Sequence, residues 1–434
     1  MNVQNFMARD FNVVPAETEV VVVGGGIVGV STALFLARKG IPVVVCEKGA
    51  IGEEQSSRNW GWVRKMGRHP AEIPLAVQSL RLWEGLNARV GAETGFRARG
   101  IVYLCGNAKE AAHYEAWLAE ARSFQLDSRM LGAAEIGRLL PGSARAWTAA
   151  LYTPSDGTAE PELATAAIAT AADRAGATVL ETCAVRGVET AAGAVSGVVT
   201  ELGAIRCGQV VLAGGAWSSL FCGNLGIRFP QLKILGSVLR TGPLDAADLA
   251  VGAGNFAFRK RLDGGYTVAQ RNANIAEIVP DSFRFFRDFL PSLAKTRHEY
   301  RLRVGRRFLD EWAMPRRWAL DKATVFERVR TLDPVPSPSI LARGERLLTE
   351  AFPIFRGVPA VQRWAGLIDV TPDAVPVISA VGSLPGFFLA SGFSGHGFGI
   401  GPGAGQLMAD LVTGTTPLVD PAPYRFERLA RGAG

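Results

Sequence analysis

Gly24, Gly26 and Gly29 stand in the spacing GxGxxG, and Glu47 follows about 20 residues later. Glycines so placed let the backbone turn sharply, approach a pyrophosphate closely, and pack a helix against the preceding strand. An acid at that distance can accept both hydroxyls of an adenosine ribose, where an Arg would have suited a 2′-phosphate. The elements that must position these groups can be read around them. Residues 20–23 are four consecutive valines, the β-branched composition of a parallel strand buried on both faces. A helix opening at Ile27 and Val28 would aim its unpaired N–H groups and positive dipole end at the phosphates. A second strand then delivers Glu47. The stretch reads as a dinucleotide-binding unit, and by itself it does not separate FAD from NAD.

With 434 residues the chain exceeds the size at which one core usually stops growing, so two domains are expected. A hydrophobic fraction of 48% and a charged fraction of 20% fit an ordinary globular protein. The net charge of +7 comes from dispersed Arg residues with no basic tract, which argues against nucleic acid. Five scattered cysteines and four histidines, without CxxC or HxxxH spacing, point to reduced buried thiols and to no metal site. The N-terminal segment lacks the basic-then-apolar order of a leader, and no apolar run is long enough to span a bilayer. A cytoplasmic protein is expected, with peripheral membrane contact left open; the composition sets no oligomeric state.

Along the chain, residues 74–86 approximate a helical face, residues 96–106 a strand and residues 109–124 an amphipathic helix. Pro161 suits the first turn of an Ala-rich helix that ends at Gly176. A strand over 178–188, a hairpin, and a buried strand over 209–212 lead into Gly214 and Gly215, a second glycine pair after an apolar strand. Residues 231–361 change texture. Strands with a turn at 263–265 give way to the aromatic, Arg-rich segments SFRFFRDFLPSL and RVGRRFLDEWAMPRRW, read as helices, and to a Pro-rich loop over 333–339. The tail returns to the pattern of the opening stretch, with a strand over 386–390, a glycine-rich loop over 392–403, and a helix from about Ala404.

Four blocks together resemble the FAD-dependent amine and amino-acid oxidoreductases, the family of D-amino-acid oxidase, glycine oxidase and monomeric sarcosine oxidase. They are GGGIVGVSTALFLARKG with VVVCEK, SSRNWGW, VVLAGGAWS, and TPDAVPVIS with ASGFSGHGFGIGP, in the expected order across nearly the whole chain. The resemblance implies an α/β Rossmann-like FAD-binding domain over 18–95, 150–225 and 362–434, with a substrate-binding domain over 96–149 and 226–361. The latter would be a mainly antiparallel sheet roofing the flavin. By position, Gly24 to Gly29 would hold the pyrophosphate, Glu47 the ribose with Lys48 beside it, and Ser56, Ser57 and Arg58 the pyrophosphate or flavin edge. Val185 would offer its backbone to the adenine. Gly214, Gly215 and Trp217 would flank the cofactor, and Gly392, Ser394, Gly395, His396, Gly397 and Phe398 would line the flavin ring.

Two departures from the sarcosine-oxidase pattern matter. Gly366 stands where those proteins carry a flavin-linked cysteine, so FAD is expected to bind noncovalently. Gly399 stands where they carry a Lys for the substrate carboxylate, so that anchor must lie elsewhere. Arg64, just after the flavin-edge loop, could fork a carboxylate bidentately, with Arg68 and His69 as lesser candidates. His396 is a candidate for contact with the flavin or substrate amine. Trp60, Trp62 and Trp364 are candidate pocket walls, and Tyr266, Arg259 and Arg261 lie on a roof strand within possible reach of substrate. The stretch FRFFRDFL reads as a packed amphipathic helix that, in a peripheral dehydrogenase, could rest on a membrane.

The implied reaction is oxidation of a C–N bond in a D-amino acid, a cyclic imino acid or an N-substituted amino acid to an imine. Electrons would pass to O2 or to a quinone or other carrier. The alternatives on the same reading are a 2-hydroxy-acid or polyol-phosphate oxidoreductase, and a noncatalytic FAD-binding subunit.

Overall fold

The computed structural model describes residues 14–296 and 300–432. The segment read as lacking a leader falls largely on residues 1–13, outside the described residues. The opening strand Val20–Val23 is the centre of a six-stranded sheet, pairing in parallel with Val43–Cys46 on one side and Gln209–Leu212 on the other. Val21 faces Val44 and Val210 in register, and all four valines of the strand are buried. Thr178–Leu180 closes one edge, while Phe387–Ser391 and the antiparallel Val377–Ala380 close the other. Strands from the two ends of the chain therefore share one hydrogen-bonded layer.

The second layer is a ten-stranded, mainly antiparallel sheet. Its longest pairing joins Leu232–Thr241 to Ala360–Val370, with Gly236 opposite Gly366 and Val238 opposite Trp364. Ala149–Thr153 also pairs into this sheet, with Ile101–Cys105. The expected domain boundaries at 150 and 362 thus cut strands of the large sheet.

Local expectations hold where spacing alone decides and shift where packing intervenes. Helices form over Ile27–Arg38, Ile73–Glu84, Ala108–Ala121 and Pro161–Arg174, the last with Pro161 in its first turn. The strand expected over 96–106 shortens to Ile101–Cys105. The strand expected over 178–188 splits into Thr178–Leu180 and Val185–Ala191, with Thr182 at a φ of 50° between them. In the second Arg-rich segment only Arg307–Trp312 is helical.

The largest correction concerns the C-terminal glycines. The helix starts at Gly397, not Ala404, and runs to Thr413. Its glycines serve close approach between elements. A Cβ on Gly405 would sit 2.4 Å from the Ser31 Cβ of the opening helix, and one on Gly401 2.9 Å from an Ile27 methyl. Pro402 within the helix removes one N–H and crowds the carbonyl four residues earlier. Neighbouring side chains engage the backbone there: Ser79 Oγ accepts from Gly403 N and donates to the Gly399 carbonyl, which also accepts from Trp83 Nε1.

Candidate functional site

One cavity of about 450 Å³ runs between the two layers, from Glu47 and Val185 at one end to Arg68 and Tyr103 at the other. At the first end the glycines make the floor. Gly24 has a φ of +109°, and a Cβ there would lie 2.5 Å from the Ala213 carbonyl oxygen. Glu47 accepts from Gly25 N through one carboxylate oxygen and from Gly49 N through the other, each at 2.7 Å. Burial nevertheless raises its pKa, outweighing those two bonds. Its remaining lone pairs suit hydroxyl donors. Ser56 Oγ accepts from Ile27 N at 2.9 Å, tying the next loop to the helix start. Lys48 Nζ is 2.7 Å from Glu54, and Trp217 Nε1 donates to the same carboxylate oxygen at 3.1 Å.

At mid-cavity Asp369, 2% exposed, accepts from Gly392 N at 2.8 Å and from Gln231 Nε2 at 3.0 Å. Burial raises its pKa. The carboxyl thereby pins the loop that leads into the Gly397 helix.

The far end carries the charge. His396 Nδ1 lies 3.2 Å from one oxygen of the fully buried Glu72 and 3.3 Å from the other. Burial, reinforced by the Arg68 charge, lowers His396 to about 4, so the ring is neutral at physiological pH. Burial opposes ionisation of Glu72, yet the contact with His396 and the Arg68 and Arg64 charges hold its carboxyl below the ordinary range. A neutral imidazole facing a carboxylate keeps its proton on Nδ1, leaving Nε2 as an acceptor. Arg64 and Arg271 both lie against the ring of Tyr103, with guanidinium carbons 5.6 Å and 4.4 Å from its centroid.

The arrangement is a glycine cradle with an acid for a ribose, followed by a pinned loop and a cationic end. A family model described as FAD dependent oxidoreductase matches residues 19–411. The chain belongs to the FAD-dependent oxidoreductase family. Glycine oxidase of Pseudomonas putida is 26% identical over 422 residues, covering 94% of this chain and 98% of that protein. Sarcosine oxidase subunit beta of Rhodobacter capsulatus is 25% identical, covering 95% and 89%. Among solved structures, L-amino acid deaminase from Proteus myxofaciens in complex with anthranilate is 34% identical with a TM-score of 0.92, covering 96% and 94%. The enzyme is a flavoprotein that uses FAD, and the cradle and the Glu47 oxygens fit the adenosine-diphosphate half of that cofactor.

Of the residues expected at the flavoenzyme's site, Gly24, Gly26, Ile27, Val28, Glu47, Lys48, Ser56, Arg58, Val185, Gly214, Gly215 and Trp217 line the cavity. So do Ser394, Gly395, His396, Gly397, Phe398, Trp60, Trp62, Arg64 and Arg68. Others stand outside its lining. Gly29 serves packing, since a Cβ there would lie 2.0 Å from the Gly24 carbonyl oxygen. Ser57 Oγ is turned back to the Glu53 and Glu54 carbonyls. Gly392 stands behind the loop, at a φ of +78° and bonded to Asp369.

Tyr266 is the clearest correction. It is fully buried in the large sheet against Phe258 and Phe355, with its hydroxyl donating to the Ala247 carbonyl, so it cannot meet a substrate. The two arginines expected on the same strand stand apart from it, Arg259 on Ala257–Lys260 and Arg261 just beyond that strand's end, and neither is free for a substrate. Arg259, 1% exposed, forks Glu160 at 2.8 and 3.0 Å, and Arg261 joins the same acid. His69 instead accepts from Ala71 N in a short 3₁₀ turn, and Trp364 donates to the Arg58 carbonyl.

Sequence reasoning missed Glu54, Glu72, Tyr103, Gln270, Arg271 and Asp369. Asp369 carried one usable signal, a lone acid within an apolar run just before the TPD block. The others carried none; Glu72, for one, meets His396 from 324 positions away.

Proposed function

We propose that this flavoenzyme oxidises the Cα–N bond of an L-α-amino acid to an imine, which water hydrolyses to a 2-oxo acid and ammonia. The observation that carries the reading is the cationic end of the cavity, where Arg64 and Arg68 stand beside a neutral His396. The likeness to L-amino acid deaminase supports the L configuration over the D configuration. Bound FAD supplies hydride acceptance. The chain's own residues then have separable tasks. Arg64 holds the α-carboxylate, Trp60 and Trp62 wall the substrate from water, and His396 Nε2 accepts a hydrogen bond from the substrate amine while Glu72 fixes the ring. Gly366, against the Arg58 side chain, supports noncovalent FAD. Acid precipitation should release the flavin into the supernatant.

The deciding experiment is an anaerobic screen of L-, D-, cyclic and N-alkylated amino acids together with 2-hydroxy acids, read by bleaching of the flavin absorbance. Bleaching by 2-hydroxy acids alone would transfer the assignment to them, and bleaching by nothing would favour a noncatalytic subunit.

A second reading concerns the electron acceptor. No helix among the described residues is long and apolar enough to cross a membrane. Phe283, Phe286, Leu302, Leu309 and Trp312 are nonetheless exposed, Trp312 by 71%, on a segment that also carries Arg284, Arg287, Arg301, Arg303 and Arg306. Apolar side chains among arginines suit the surface of an anionic bilayer, so we propose peripheral membrane contact and a quinone as acceptor. Sedimentation with anionic and with neutral vesicles tests the contact. Fast reoxidation of the reduced protein by air, with peroxide formed, would instead make O2 the acceptor.

A further inference from the structure

We infer that the substrate carries a second carboxylate, on its side chain, and that Arg68 and Arg271 receive it. The inference rests on the amino-acid reading above and names the class of amino acid.

The charge at the far end exceeds what one carboxylate can use. Three guanidiniums, of Arg64, Arg68 and Arg271, line that part of the cavity. Arg64 and Arg271 both rest on Tyr103, and Arg68 is close enough to Arg64 for their charges to repel. Glu72, hydrogen-bonded to the neutral His396, offsets part of the Arg64 and Arg68 charge, and Asp156 accepts from the Lys65 and Met66 N–H groups behind the loop. With the α-carboxylate taken by Arg64, further positive charge remains at that wall.

Arg68 shows the deficit most directly. It is 3% exposed, its Nε donates to the Arg64 carbonyl, and its Nη1 is buried without an acceptor. A buried guanidinium N–H lacking a partner is costly, and more so because the group is charged. The Arg68 side chain as a whole lines the cavity beside Arg64, and an anionic oxygen of a ligand there would offset the repulsion between the two guanidiniums. Arg271 is held in place independently: its Nη1 donates to the Ala253 carbonyl and its plane lies over Tyr103. It is therefore a fixed charge rather than a mobile surface side chain. Gln270, the residue before it, lines the same wall and has a buried Oε1 without a donor.

The test uses the FAD-loaded protein and two ligands of equal chain length, glutarate and pentanoate, titrated at constant ionic strength against the flavin spectrum. Glutarate is expected to half-saturate at a concentration at least about tenfold lower than pentanoate, the scale of one charge-assisted hydrogen bond. Arg271→Met should erase that preference, bringing the glutarate and pentanoate half-saturation points together. Should Arg271→Met fail to fold, Arg68→Met and the wild-type comparison still decide. In turnover, L-glutamate should bleach the flavin faster than L-norvaline.

Equal half-saturation by glutarate and pentanoate in the wild type, or equal bleaching by the two amino acids, overturns the inference. Absence of bleaching by every amino acid overturns the amino-acid reading instead, and leaves the glutarate preference as a separately measured property of the cavity.

Discussion

His396 Nδ1 lies 3.2 Å from a carboxylate oxygen of Glu72, a side chain with no exposure at all. The contact joins the start of the C-terminal helix to the short turn before Ile73–Glu84, and it decides which ring nitrogen faces the cavity. Glu72→Leu leaves Nδ1–H without an acceptor and frees the ring to change tautomer. The expected result is a fall of about tenfold or more in kcat for amine oxidation with FAD still bound, from a lost hydrogen bond of about 1–3 kcal/mol. Glu72→Gln keeps an acceptor oxygen and should recover most of the loss. Steady-state kinetics of both variants checks this, and an unchanged kcat in Glu72→Leu would remove His396 from the proposed role.

The same pair sets a pH dependence of stability. The unfolded imidazole titrates near 6.5, the folded one at about 4. Between these values the unfolded chain binds a proton that the folded chain refuses, so this contribution to stability is lost as pH falls from about 6.5 towards about 4. Asp156 acts in the opposite sense. Burial raises it to about 6, so the folded chain holds the extra proton between about 3.8 and about 6, and stability declines as pH rises through that window. His396→Asn, whose amide can replace the Nδ1 donor, removes only the first effect. Its urea midpoint should drop less than the wild type's on acidification from about pH 7 to about pH 5. An equal or steeper drop contradicts the assignment.

Gly405→Ala sets two effects against each other. Helix propensity favours Ala by about 1 kcal/mol. The added Cβ would meet Ser31 Cβ at 2.4 Å and the Ser31 and Thr32 backbone at 2.7 Å, where nothing flexible can yield. Overpacking of this kind costs about 1–3 kcal/mol, so the sign should be destabilising. A lowered Tm of the FAD-loaded protein is expected, and an unchanged or raised Tm would show that the two helices can separate at little cost.

Arg259 and Glu160 form a buried pair that also shapes the cavity wall. Arg259 Nε donates to the Trp60 carbonyl at 2.6 Å, and a Cβ on Gly61 would sit 2.7 Å from an Arg259 nitrogen. Arg259→Leu leaves Glu160 buried without its main partner, a change that typically costs about 3–5 kcal/mol. It also releases the loop carrying Trp60 and Trp62. Thermal unfolding should show the loss of stability, and KM should rise more than kcat falls. A stable variant with wild-type KM would refute the link between the pair and the wall.

The sequence by itself determined the half of the site that is local. GxGxxG, the valine strand before it and Glu47 after it are set by neighbour-to-neighbour spacing, and strand, turn and helix preferences act over the same few residues. The C-terminal glycines were visible as a block, but their role was not. A glycine in a loop and one pressed against another helix look alike until Ser31, which meets Gly405, is placed. Strand residues such as Tyr266 and Arg259 can present either face, and only the packing of the large sheet turned them inward to Ala247 and Glu160. Glu72 opposite His396, and Arg64 with Arg271 across Tyr103, join residues hundreds of positions apart. Such pairs follow from the stacking of two sheets around one cavity, where side-chain burial and charge compensation are settled together and no short stretch of chain records the outcome.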